Sequence, residues 1–291
     1  MNPTNIILTG LPRSGTTLTC QLLNMLPDTV ALHEPMRGAH VAGDGDDVAR
    51  AQTIARFFAE QRDSILTRGR AASRTADGVM PENPFGTERT ESGLRRHLDT
   101  KGEIVIAKAL SPDFTLVIKH IASFAAMVET LTAHFPVYAV IRNPLAVLAS
   151  WATLDAPLQD GHIGPAEKLD AGLRLRLAAL DDRLERQIAL LDWFFAQFDR
   201  HLPERSIIRY EALIASGGQT LSVIRPEAAQ LQESLTSRNA NALYDHFDVI
   251  RAGDRLLAAD GAFWRFYPKS SVEQLLEAFA AAARTARPAK G

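Results

Sequence analysis

The chain has 291 residues, of which 46% are hydrophobic and 23% charged, proportions ordinary for a folded globular protein and not for a disordered one. Thirty-two basic against 34 acidic side chains leave a formal charge of −2, so no overall basic field draws the chain to nucleic acid. The single cysteine, Cys20, excludes an internal disulfide, and the eight histidines show no metal-ligand spacing.

In chain order, Asn5–Thr9 is a short apolar run ending in Gly10, and Thr16–Leu26 carries Leu18, Leu22, Leu23 and Leu26 at helical spacing before Pro27. This predicts a strand, a tight loop and a helix. Thr29–Leu32 predicts a second buried strand. From Met36 to Gly102 the character changes: a Gly/Asp cluster at 43–47, one amphipathic helix near Val48–Leu66, and a polar tract through Gly93 read together as an insertion. Strand-like runs at Glu103–Ala107, Phe114–Ile118 and Val137–Ile141 then alternate with helix-period sequence at Ser123–His134 and after Pro144. A charge-laced helical stretch spans Pro165–His201, a short β-like run follows at Ser206–Arg209, and helical pieces run to a last one at Ser271–Arg284.

Short buried strands alternating with helices predict an α/β fold of three layers, with a mostly parallel sheet flanked by helices. Residues 1–291 are expected to form one domain, with 36–102 inserted and 214–291 a helical C-terminal region. No run reaches the roughly 18 uncharged apolar residues of a membrane span, since even Val137–Leu154 is broken by Arg142 and Asn143. The first residues lack the basic region and apolar core of a secretory leader, so a cytoplasmic location is the expectation.

Gly10-Leu11-Pro12-Arg13-Ser14-Gly15-Thr16-Thr17 joins the first strand to the first helix, where backbone N–H groups and a helix N-terminus make an anion cradle. Its spacing is that of a P-loop, Gly-x-x-x-x-Gly, but Thr16 stands where a nucleoside triphosphatase or kinase places Lys. The basic group sits inside the loop, at Arg13. Likewise Val137–Ile141 ends in Arg142-Asn143, where a magnesium-binding carboxylate would be expected for phosphoryl transfer.

With these residues in view, the chain resembles the sulfotransferases that use 3′-phosphoadenylyl sulfate (PAPS). Pro12-Arg13-Ser14-Gly15-Thr16-Thr17 is similar to their 5′-phosphosulfate loop. Arg142-Asn143-Pro144, with Ser150 eight residues after the Arg, is similar to the element that holds the 3′-phosphate. Leu116-Val117-Ile118-Lys119 and Arg209-Tyr210-Glu211-Ala212-Leu213 complete four elements in the family's order, over roughly Ile6 to Leu213. The resemblance implies a P-loop sulfotransferase fold, PAPS as sulfuryl donor, and Tyr210 beside the nucleotide. Members often close the 3′-phosphate site with a basic, Gly-containing C-terminal segment. Arg251–Arg255 and Trp264-Arg265 are the substitutes here, although neither reproduces that motif.

Sulfuryl transfer moves a neutral SO₃ unit, so charge develops mainly on the departing phosphate oxygen, and cations there suffice without a metal ion. Arg13 and Lys119 are the candidates. The acceptor hydroxyl needs a general base, and two residues compete. Glu34 follows the second strand at the ligand-binding edge of the sheet. His120 follows Lys119 directly, whereas the histidine-dependent branch of the family has Lys-x-His, and adjacent strand residues face opposite sides. Glu34 is therefore preferred. The acceptor itself stays open among carbohydrate, lipid-linked glycan, natural product and peptide tyrosine, with 36–102 and 165–201 expected to wall its pocket. A P-loop small-molecule kinase and a non-catalytic nucleotide-binding regulator are the alternative readings.

Overall fold

A computed structural model describes residues 5–37, 41, 45–244 and 247–285. Part of the Gly/Asp cluster, Gly43 and Asp44, lies outside them, as do the chain's first four and last six residues.

Strand β1 (Asn5–Gly10) is apolar on both faces because it becomes the centre of a sheet covered on both sides. Helix α1 (Thr16–Met25) follows the loop and leads to β2 (Thr29–His33). Next come α2 (Asp47–Arg68), β3 (Arg70–Thr75), a hairpin of β4 (Phe85–Arg89) and β5 (Arg95–His97), and β6 (Thr100–Val105). The chain returns to the sheet with β7 (Thr115–Lys119), passes through α3 (Ala122–Ala126) and α4 (Val128–Thr132), and enters β8 (Val137–Ile141) and α5 (Pro144–Trp151). Helices α6 (Gly164–Leu169), α7 (Ala171–Ala178) and α8 (Arg183–His201) precede β9 (Ile207–Arg209) and α9 (Tyr210–Ala215). Helices α10 (Val249–Ala258) and α11 (Lys269–Thr285) end the described chain.

The five sheet strands lie in the order β2-β7-β1-β8-β9, and every pairing is parallel. Alternation along each strand divides the core in two. Ile7, Leu32, Ile118 and Ile141 face a large cluster that includes Ile54 and Phe58 of α2 and Phe194 of α8, while Leu8, Val117, Val140 and Ile208 meet Cys20 and Leu23 of α1. This is an α/β fold with helices on both faces of a parallel sheet. Because β7 and β8 flank β1 on opposite sides, the C-terminal ends of these three strands open a crevice at the point where the strand order switches.

Three sequence expectations change. Glu103–Ala107 is not a sheet strand: β6 pairs antiparallel with β3 in a separate ribbon, with Ile104 buried between exposed Glu103 and Val105, the alternation of a one-sided strand. Within the span read as an insertion, α2 packs on the sheet as the crossover between β2 and β7. And 165–201 is three helices, because the carboxylates of Asp170 and Asp182 cap new N-termini by accepting from Leu173 N and Glu185 N.

Gly10 must be glycine. Its φ is +151°, and a Cβ there would stand 2.3 Å from Val140 O and 2.9 Å from Val140 N. Gly78 also has a positive φ, +79°, but a Cβ would meet nothing within 4 Å. We expect Gly10→Ala to destabilise by about 3 kcal/mol or more, and Gly78→Ala by only about 1 kcal/mol, in urea unfolding. Equal losses would show that the contact with β8 is not what fixes residue 10.

Candidate functional site

The loop after β1 is held by its neighbours as well as by its own turn, in which Ser14 N donates to Leu11 O at 3.2 Å. Leu11 N donates to Val140 O at 3.0 Å, and the buried Ser14 hydroxyl lies 2.8 Å from both Leu11 O and Val140 O. Trp151 Nε1, from α5, donates to Pro12 O at 2.9 Å. The loop's interior hydroxyl and one carbonyl are thus committed to the scaffold. Arg13 has a φ of 72°, rare for a residue with a side chain, and Gly15 a φ of 93°, where a Cβ would press on the Tyr210 ring at 2.8 Å. Among the described residues no group accepts from the amides of Gly15, Thr16 and Thr17, which open α1 and face its N-terminal end.

Arginines gather around this loop. Arg142, 4% exposed at the end of β8, donates from Nη1 to Arg13 O at 2.9 Å, from Nε to Asn239 Oδ1 at 2.8 Å and from Nη2 to Arg238 O at 2.5 Å. Its guanidinium lies 4.6 Å over the Tyr210 ring. Tyr210 opens α9 rather than ending a strand, and its hydroxyl accepts from Arg238 N at 3.0 Å. Ser150 Oγ accepts from Arg13 Nε at 3.4 Å, so the direct contact of Ser150 is with Arg13, not with Arg142. Buried Arg95 of the hairpin donates to Thr153 Oγ1 at 2.9 Å from Nη2. Among the described residues no carboxylate pairs with Arg13, Arg95 or Arg142. Burial and the nearby Arg95 push the Arg13 guanidinium down to about 9, which leaves it cationic at neutral pH.

A second cluster stands where β2 and β7 end. The register pairs His33 with Lys119, and Lys119, 1% exposed, donates from Nζ to His33 Nδ1 at 2.9 Å and to Glu34 Oε1 at 3.0 Å. An ammonium can only donate, so His33 carries its proton on Nε2 and gives it to Asp99 Oδ2 at 3.0 Å. Asp99 accepts at Oδ1 from Arg74 Nε at 2.5 Å. Glu34 adopts a φ of 44°, which turns its side chain back onto Lys119. Burial alone would raise the Glu34 carboxyl, but Lys119, His33 and His120 outweigh it and hold the group well below the usual carboxylate range.

His120 lies beyond the end of β7, so strand alternation does not send it away from Lys119, and both line one cavity. What constrains it is a hydrogen bond. Met36 N donates to His120 Nε2 at 3.1 Å, which occupies the ring's acceptor lone pair.

The two clusters share a cavity of about 720 Å³. Glu34, Lys119, His120, Arg13, Arg142, Tyr210, Pro12, Gly15, Thr16 and Thr17 line it, whereas Ser14 turns inward and Ser150 lies behind Arg13. The hairpin and residues 156–165 supply its outer walls. Arg251, Arg255 and Arg265 pair instead with Asp182 at the N-cap of α8 and with Glu185 and Asp199 on it, away from the cavity. The cation that lines it from the C-terminal side is Arg238, which sequence reading passed over along with Arg95 and Asp99. Arg95 is one of two adjacent arginines, Asp99 and Arg238 stand in polar tracts, and nothing local marks any of the three as part of a site.

Burial pushes His120 down to about 3 from an ordinary 6.5. Between those values the unfolded chain binds a proton that the fold refuses, so stability present at pH 7 declines as the pH falls below 6.5. His120→Gln should flatten that decline by up to about 1.4 kcal/mol per pH unit in urea unfolding between pH 6.5 and 5. Parallel curves for the two proteins would show that His120 titrates freely in the folded chain.

Compared with known proteins, the chain matches no family model and no curated sequence.

Proposed function

We propose that the chain is a sulfotransferase that moves a sulfuryl group from PAPS to an acceptor hydroxyl. The observation that carries this reading is the arrangement of two separate charged groups on one cavity: an arginine cluster at the loop and the β8–α5 junction, and the Lys119–Glu34 ion pair at the end of β7. A nucleotide with phosphates at both ends of its ribose needs both a loop cradle and a second anion subsite. Open amides at Gly15–Thr17 together with Arg13 suit the first, and Arg142 suits the second. Thr16 in place of the P-loop Lys, and Arg142-Asn143 in place of a carboxylate, favour this reading over a kinase.

Bound PAPS supplies a sulfuryl group on a phosphosulfate anhydride, whose bridging S–O bond breaks as the acceptor oxygen attacks sulfur. Glu34 takes the acceptor's proton. Held by Lys119, its carboxylate is a weak base at rest, but movement of the ammonium toward negative charge developing on the leaving oxygen raises the proton affinity of Glu34. One cation therefore couples the two ends of the reaction. His33, fixed by Asp99, keeps a second acceptor against Lys119 throughout. Arg13 and the loop amides hold the departing phosphate.

Calorimetry should show adenosine 3′,5′-bisphosphate binding without magnesium and more tightly than ATP, and the reverse order would support the kinase reading. Arg142→Ala should cost that bisphosphate about tenfold to a hundredfold in affinity and leave adenosine 5′-monophosphate nearly unchanged. Glu34→Gln should lower kcat by about two to four orders of magnitude with donor affinity intact. An active Glu34→Gln protein beside an inactive His120→Asn protein would move the base to the histidine.

A further inference from the structure

The two ends of the cavity are built from different material. Around Arg13 and Arg142 the wall is cationic. The outer wall is formed by two segments clamped together: Arg95 N donates to Thr153 O at 2.8 Å and Asp155 N to Arg95 O at 3.0 Å, which joins the β4–β5 hairpin, whose Phe85 ring lies 5.2 Å from the Arg13 guanidinium, to the stretch that leads into 156–165. Opposite them, Ile121 and Ala122 enter α3, which packs against α6. The surfaces these segments turn to the cavity include Phe85, Leu158, Ile163 and Ile121.

Glu82 and Ser123 line this end, but several of its other polar groups spend bonding capacity within the protein. His120 Nε2 accepts from Met36 N, and both nitrogens of His33 are engaged, by Lys119 and Asp99. His97 Nδ1 accepts from Arg74 Nη2 at 3.1 Å, and His162 Nδ1 lies 3.2 Å from Glu167 Oε2. Asn83 Oδ1 accepts from Phe85 N at 3.1 Å. A ring of hydroxyls placed here would leave water for few fixed partners, and each unpaired group weakens binding. A hydrocarbon frame loses nothing of the kind and gains by covering Leu158 and Ile163.

We propose that the acceptor is a single hydroxyl carried on an apolar frame, an aryl or alkyl alcohol rather than a carbohydrate. This rests on the sulfotransferase reading of the same cavity. The acceptor oxygen bonds to sulfur, its proton passes to Glu34, the bond from sulfur to the bridging phosphate oxygen breaks, and the products are an organic sulfate ester and adenosine 3′,5′-bisphosphate.

The test is equilibrium binding to the full chain, which needs no turnover. 2-Naphthol, 1-octanol, N-acetylglucosamine and cellobiose are titrated by saturation-transfer NMR with and without adenosine 3′,5′-bisphosphate. The expected result is binding of at least one of the two apolar alcohols and of neither sugar. Leu158→Asp and Ile163→Asp should weaken the bound alcohol at least tenfold while bisphosphate affinity changes by less than twofold. Should either aspartate fail to fold, Leu158→Asn and Ile163→Thr give the same direction in smaller steps, about threefold. Tighter binding of a sugar, or alcohol binding unchanged in every variant, overturns the inference. If the nucleotide binds and neither alcohol does, the apolar-frame proposal falls and the sulfotransferase reading stands. If an alcohol binds at Leu158 but radiolabelled PAPS never labels it, the sulfotransferase reading falls and the pocket's preference for apolar alcohols stands.

Discussion

A buried ammonium governs the architecture of this site. Lys119 is almost wholly removed from water at the end of β7, and an unpaired charge there would cost several kcal/mol. The parallel register puts His33 beside it, and Glu34 bends through a left-handed conformation to reach it. His33 in turn needs Asp99, and Asp99 needs Arg74. Each partner brings its own segment with it, so the chain of contacts that satisfies one lysine also fixes the ribbon of β3 and β6 against the sheet edge, where Ser73 Oγ accepts from His33 N at 3.3 Å.

The arginine cluster obeys a different logic. Arg142 satisfies most of its donors with carbonyls and the Asn239 amide rather than with carboxylates, so its charge is left without local neutralisation. Glu211 stays out of direct contact but organises the region: its Oε1 accepts from Asn143 N and Asn239 Nδ2, both at 2.9 Å, and its Oε2 from the Tyr267 hydroxyl at 2.7 Å. The carboxylate thus pins the β8–α5 junction and the 238–241 segment to one point, and the guanidinium between them keeps a fixed direction. Like charges held this way repel one another, and an anion placed among them would relieve that repulsion.

Much of the sheet was readable from sequence because its strands are short, apolar and bounded by turn residues, and the loop was readable because Gly10, Arg13 and Gly15 fall at the strand–helix junction. Where the reading failed, the signal was tertiary. A run such as Glu103–Ala107 looks like any strand until its exposed and buried residues are known, and the helical 165–201 span breaks where two aspartates compete for backbone amides. Strand alternation does not hold between Lys119 and His120, because β7 stops at Lys119. The partner of His33 lies 66 residues away, beyond the reach of any local pattern.

The bridge between Arg95 and residues 153–155 has a consequence for how such a cavity diversifies. Phe85 and Leu158 stand on segments that touch each other through this bridge but hold none of the loop's scaffold bonds, which run instead to Val140 and Trp151. Substitutions along these walls can therefore accumulate without disturbing the register of β1 and β8. The outer walls of the cavity are thus free to vary while the loop and its scaffold are inherited unaltered.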